Sequence, residues 1–287
     1  MHRRLSVYLA AFVVVLSVPL VLLAFSFTTT DVPGAPPGDG TFGGTASQGI
    51  NAQGQVVGFY VDSGGMAHGF LLRKGTFTTI DFPGALSSAP RGINARGDIV
   101  GEEDDAVTAH GFLLSGGSFT TVDFPGAALT ILFGINDSEE SVGIYTDAGG
   151  TVHGFILDNG EFTTIDFPGS TGTFPFGIND SGDVVGGYLD TLGVNHGFLL
   201  SKGSFRTIEP PGAVASQAHG INPRGEIVGQ DFSAGVQHAF LFSKGTFTQI
   251  DVPGASATRG RGINARGDIV GNYNDSSGNV HGFEATK

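Results

Sequence analysis

The side chains of this chain that could do chemistry are its histidines and carboxylates, and both recur in a fixed pattern. Histidine stands at His68, His110, His153, His196, His238 and His281, followed by Gly-Phe in five cases and by Ala239-Phe240 in one. An Asp/Glu-x-Pro-Gly signal begins at Asp31, Asp81, Asp123, Asp166, Glu209 and Asp251. Imidazole suits zinc and related ions, so six equivalent histidines could ring a common axis as metal ligands. The alternative is one buried hydrogen bond from each histidine within its own unit, orienting a turn through an Asp or a backbone group. Protein zinc sites use three or four ligands rather than six, which favours the second use.

Calcium is the other metal to weigh. Asp62-Ser63-Gly64-Gly65, Asp147-Ala148-Gly149-Gly150 and Asp275-Ser276-Ser277-Gly278 are oxygen-rich. None spaces its carboxylates as a helix-loop-helix calcium site does, and Asp before Gly is ordinary turn chemistry. The run Glu102-Glu103-Asp104-Asp105 is the best single calcium candidate, and a solvated charged loop is the simpler account of it. No Gly-x-Ser-x-Gly elbow, phosphate loop or His-Glu-x-x-His helix occurs. The alternative of an extracellular polysaccharide hydrolase or lyase would use acidic or histidine residues at the ring, such as Glu102, Asp104 or His219. The pattern favours a non-enzymatic protein, with no required cofactor or metal.

What must position these residues is a repeat. Gly-Ile-Asn begins at Gly49, Gly92, Gly134, Gly177, Gly220 and Gly262, a period of 42 or 43 residues. Each unit reads as four short strands separated by turn signals. In the unit from Gly220, the first strand ends at Asn222, and Asn222-Pro223-Arg224-Gly225 makes a type I turn. A second strand covers 226–230, and a loop runs to about Gln237. A third strand covers 238–242, a two-residue hairpin falls at Lys244-Gly245, and a fourth strand covers 246–252. In Phe77-Thr78-Thr79-Ile80 the apolar residues point to opposite faces, so the sheet is buried on both sides. One four-stranded sheet per unit, covered by neighbours on both faces, is the blade of a propeller.

The last unit stops at Lys287 without its Phe-Thr-Thr strand, and Phe27-Thr28-Thr29 precedes the first unit. The expected fold is therefore an all-β, six-bladed β-propeller over 27–287, closed by pairing the N-terminal strand with the C-terminal blade.

Composition limits the partners. The formal charge is -13 and Cys is absent, which leaves no basic stripe for nucleic acid and no disulfide or thiolate chemistry. Residues 5–25 are an uncharged apolar run behind Arg3 and Arg4. Residues 1–26 read as a signal peptide, cut after Ser26, or as a signal-anchor. The expected location is extracellular or the cell envelope, with any membrane contact made only through that segment, and the protein is expected to be a monomer.

On the His-Gly-Phe series and His238-Ala239-Phe240, the chain resembles the bacterial HAF-type extracellular repeat family over essentially everything after residue 27. The resemblance implies an exported protein with propeller-like repeats and supplies no catalytic residues.

Function is more readable where the units differ. The residue before Gly-Ile-Asn is Gln48, Arg91, Phe133, Phe176, His219 and Arg261 in turn, and Ile131, Leu132, Phe174 and Pro175 vary nearby. The connection from Pro-Gly to Gly-Ile-Asn is seven residues longer in the first unit. If these connections lie on one face as loops, the six side chains form a ligand-binding ring with an aromatic and a basic/polar side. The expected partner is an extracellular carbohydrate or protein. The competing account is that Phe133 and Phe176 plug the contact between the third and fourth blades. A purely structural surface protein is the remaining alternative.

Overall fold

The computed structural model describes residues 25–38 and 44–287. The leader over 1–26, as cleaved peptide or as anchor, lies outside the described residues except for Phe25 and Ser26. No helix among the described residues is long and apolar enough to cross a membrane.

Six four-stranded antiparallel sheets surround one axis. Blades 1 to 5 span residues 44–80, 87–122, 129–165, 172–208 and 215–249. Blade 6 combines three strands over 257–286 with Ser26–Thr29. Within blades 1 to 5 the strands follow one another outward in chain order. The first strands touch their neighbours around the axis, including blade 6 against blade 1, so the ring is closed.

The sequence explains each blade. The Phe of His-Gly-Phe is at most 2% exposed in all six copies, at Phe70, Phe112, Phe155, Phe198, Phe240 and Phe283. In blades 1 to 5 it meets the Phe of the fourth strand edge-on at 5.2–5.6 Å. Such pairs add to what burial of their area contributes. The third and fourth strands are joined by Lys74-Gly75, Gly116-Gly117, Asn159-Gly160, Lys202-Gly203 and Lys244-Gly245, all with φ between 49° and 82°. Two successive left-handed residues are what a type I′ hairpin turn needs.

The seam repeats the same contacts between the chain's ends. Ser26, Phe27, Thr28 and Thr29 pair with Thr286, Ala285, Glu284 and Phe283. Phe27 lies 5.9 Å from Phe283, in the place of the fourth-strand Phe of the other blades. Thr30 N donates to Gly282 O at 2.9 Å.

In blade 5 the strand bounds differ from the sequence expectation. The second strand is Ile227–Ser233 and the third is Val236–Ser243, so no loop runs to Gln237. Ala234 and Gly235, at φ 49° and 81°, turn the chain in two residues. The fourth strand, Thr246–Gln249, is shorter than expected.

Candidate functional site at the channel

The turn after each first strand builds one end of the channel. Asn51 Oδ1 accepts from the amides of Gln53 and Gln55 at 3.1 and 3.0 Å, which fixes the turn. Its Nδ2 reaches across to the next blade and donates to Asn94 O at 3.0 Å. The equivalent bonds run Asn94 to Asn136, Asn136 to Asn179, Asn179 to Asn222, Asn222 to Asn264 and Asn264 back to Asn51, at 3.1–3.3 Å. A hexagon of side-chain to backbone hydrogen bonds thus closes on itself. The hollow beside it holds only about 100 Å³, and each amide in it is already satisfied.

One step inward, the Gly of Gly-Ile-Asn lets the first strands approach each other. A Cβ on Gly134 would stand 2.9 Å from Phe176 O and 3.1 Å from Gly177 Cα. Only glycine fits at such a distance.

The next layer is the ring of non-recurring residues. In each blade the ladder between the first two strands skips one residue, between Ser47 and Gly49, Pro90 and Gly92, Leu132 and Gly134, Pro175 and Gly177, Ala218 and Gly220, and Gly260 and Gly262. The skipped residues are Gln48, Arg91, Phe133, Phe176, His219 and Arg261. The expectation of loop residues on one face is corrected here: all six sit inside first strands, as the extra residue of a β-bulge. A bulge re-aims a side chain, and these six together line a space of about 60 Å³ on the axis.

The ring does have an aromatic and a basic side. Arg91 lies over Phe133 at 5.8 Å, Phe133 meets Phe176 edge-on at 5.1 Å, and Phe176 stacks on His219 at 4.5 Å. Arg261 Nη1 donates to His219 Nε2 at 2.9 Å. Burial, then the charges of Arg261 and Arg91, hold His219 well below the usual imidazole pKa of 6.5, so it is neutral and free to accept. Contact between Phe133 and Phe176 also joins blades 3 and 4, so packing and channel lining are combined in one pair.

Beyond the ring the channel widens between blades 6, 1 and 2 into a cavity of about 550 Å³. Its wall includes Gln48, Phe59, Arg91, Asp104, Arg259, Arg261 and Asn272. Arg91 is ion-paired with Glu102, and its side chain also lies over Phe59 at 5.0 Å. Arg259 Nη1 donates to Asn274 Oδ1 at 2.6 Å, and Arg261 Nε to Asn272 Oδ1 at 3.4 Å. Burial, then Arg259 and Arg91, lower the pKa of Arg261 to about 9. Burial and the neighbouring Glu102 raise that of Asp104.

Sequence alone does not single out Phe59, Arg259 or Asn272. Arg259 stands two residues before a ring position, where the other units carry Ala46, Ala89, Ile131, Phe174 and Gln217. That variation was readable; the cross-strand partners Phe59 and Asn272 needed the ladder register.

The acidic run is not a solvated loop. Glu102, Glu103 and Asp104 belong to the strand Ile99–Asp104, whose side chains alternate, so Glu103 is buried away from the other two. Asp105 accepts from the amides of Val107 and Thr108. Glu102 and Asp104 share one face of the strand while Glu103 lies on the other, and among the described residues no group of three or more His, Asp or Glu is placed to hold a metal. In the Asp-Gly turns, Asp62 Oδ1 accepts from Gly64 N and Met66 N at 2.8 and 2.9 Å, and Asp147 does the same.

Each histidine serves its own blade. His68 Nδ1 donates to Asp81 at 2.9 Å, and His110, His153, His196, His238 and His281 bind Asp123, Asp166, Glu209, Asp251 and Asp31 at 2.6–2.9 Å. The expectation of buried bonds needs adjustment, since these side chains are 20–31% exposed. Tyr60, Tyr145, Tyr188 and Tyr273 stack on four of them at 5.0–5.4 Å.

No protein-family model and no curated protein matches the chain. Solved structures share its fold. A six-bladed fungal lectin of Aleuria aurantia, described with a fucose recognition mode, is 15% identical at a TM-score of 0.51, over 83% of this chain and 89% of that one. AofleA from Arthrobotrys oligospora is 13% identical at 0.52, over 91% and 83%. TolB from Acinetobacter baumannii is 12% identical at 0.53, over 89% and 66%. These likenesses establish a β-propeller.

Proposed function

We propose that this is an exported, non-enzymatic binding propeller that takes a carbohydrate at the wide end of its channel. The observation that carries the reading is the convergence of the six non-recurring residues on one ring, with the large cavity opening beside it. About 550 Å³ lies within the range of small-ligand sites, roughly 300–1,000 Å³. Phe59 offers an apolar face while Gln48, Asn272 and Asp104 offer hydrogen bonds, the combination a sugar ring uses. The fucose recognition described for the Aleuria lectin lends the fold a precedent. Export agrees with the apolar run at 5–25 and with the resemblance to HAF-type repeats.

The test is glycan-array screening of the purified protein, followed by calorimetry on the hits. Phe59→Ala should weaken binding by about tenfold, as loss of an aromatic anchor does. Unchanged affinity in both Phe59→Ala and Gln48→Ala, for every bound glycan, would remove the channel from consideration.

A further inference from the structure

The cavity holds more positive charge than its surroundings explain. The chain has only 14 Lys and Arg against 27 Asp and Glu, yet three arginines meet on this wall. Among the described residues, Arg91 alone of the three has a carboxylate partner, Glu102. Arg259 and Arg261 rest on neutral amide oxygens of Asn274 and Asn272 and on the neutral His219. Arg91 Nε is buried and has no hydrogen-bond partner. Taking guanidinium groups out of water without counter-charges is costly.

The repeat supplies its own control. At the position of Arg259 five other blades fold with Ala46, Ala89, Ile131, Phe174 and Gln217, and at that of Arg261 three of them use Phe133, Phe176 and Gln48. The blade fold therefore needs arginine at neither place, and beyond their bonds to Asn274, Asn272 and His219 these two guanidiniums have no counter-charge, which suits them to an anionic ligand.

We propose that the ligand is a carboxylate-bearing saccharide, a uronic-acid unit whose acid group is held by Arg259 and Arg261. This rests on the carbohydrate reading and narrows it. Planar guanidinium forks match a carboxylate in a bidentate fashion. Three guanidiniums against Glu102 and Asp104 leave one net positive charge, which balances one carboxylate; a doubly charged phosphate monoester would face Asp104. The sugar ring then has Phe59 for its apolar face and Asn272 and Gln48 for its hydroxyls.

The experiment is calorimetry with matched oligosaccharides: uronic-acid oligomers, their methyl esters, and the neutral hexose oligomers of the same linkage. Each is titrated into wild type and into Arg259→Gln, with thermal melts to check folding. Uronic-acid oligomers should bind at least about tenfold more tightly than ester or neutral forms, and Arg259→Gln should abolish that preference. The ester comparison needs no variant, so a misfolded Arg259→Gln leaves the test intact. Equal binding of ester and acid overturns the acidic-sugar inference while keeping a carbohydrate site. If no saccharide binds but acetate raises the melting temperature of wild type and not of Arg259→Gln, the anion site stands and the carbohydrate reading fails. If neither saccharide nor acetate acts, both fall.

Discussion

At the scale of single residues, protonation distinguishes two sets of histidines. Hydrogen bonds to Asp81, Asp123, Asp166 and Glu209 raise the pKa of His68, His110, His153 and His196 above 6.5. For His281, burial acts downward most strongly, and Asp31 and Asp275 together outweigh it. A raised histidine contributes stability below its unfolded value of 6.5, and that contribution is lost as pH rises through the folded value. Backbone amides of Met66, Thr108, Thr151 and Val194 hold Asp62, Asp105, Asp147 and Asp190 below 3.8; their contribution is present above 3.8 and lost as pH falls through the folded values. Glu103 and Asp231, raised by burial, lose theirs as pH rises, and neutral His219 alone opposes below 6.5. The melting temperature should therefore peak at mildly acidic pH and fall as pH rises above 6.5 through the folded values of the raised histidines. A scan of melting temperature against pH checks this, and His153→Gln should flatten its alkaline limb. A flat profile would show that the pairs do not matter to stability.

At the scale of elements, the first strand carries both the architecture and the site. Asn136→Ala deletes Nδ2 bonds to Glu140 and Asn179 and the Oδ1 acceptor for Ser138 and Glu140 amides, so it should cost about 3 kcal/mol in chemical denaturation. Gly134→Ala should cost roughly 1–3 kcal/mol by the same measurement, because Phe176 O must retreat. The recurring glycine, asparagine and hairpin signals made the blade legible from sequence, since each encodes a local backbone demand. The ring residues were legible as the position that varies, but their placement was not. A bulge is a register event between two strands, and it has no residue signature when its member is Gln, Arg, Phe or His. The same limit hid Phe59 and Asn272, which join the cavity only through cross-strand pairing.

For the whole molecule, the weak point is the seam. Asp31 accepts from His281 Nδ1 at 2.6 Å and from Gly282 N at 3.1 Å, doing for blade 6 what Asp166 does inside blade 3. The six-blade count and the closing strand were both readable, because the partial unit after Gly262 lacks what residues 27–34 supply. Asp31→Ala should accelerate hydrogen exchange at Phe283, Glu284 and Ala285 more than Asp166→Ala does at the equivalent Phe155, Ile156 and Leu157. Equal behaviour in the two variants would mean the seam is no weaker than a covalent blade.

The seam has one more consequence. Ser26 pairs with Thr286 as Glu161 pairs with Asp158, where Asn159-Gly160 joins the two strands. In a chain begun at Ser26, one glycine placed between Lys287 and Ser26 would reproduce that two-residue turn and make the backbone a covalent circle. The circle could then be cut at any of the five existing hairpins. Every such circular permutant should share the same propeller, with its start and finish in a blade of choice.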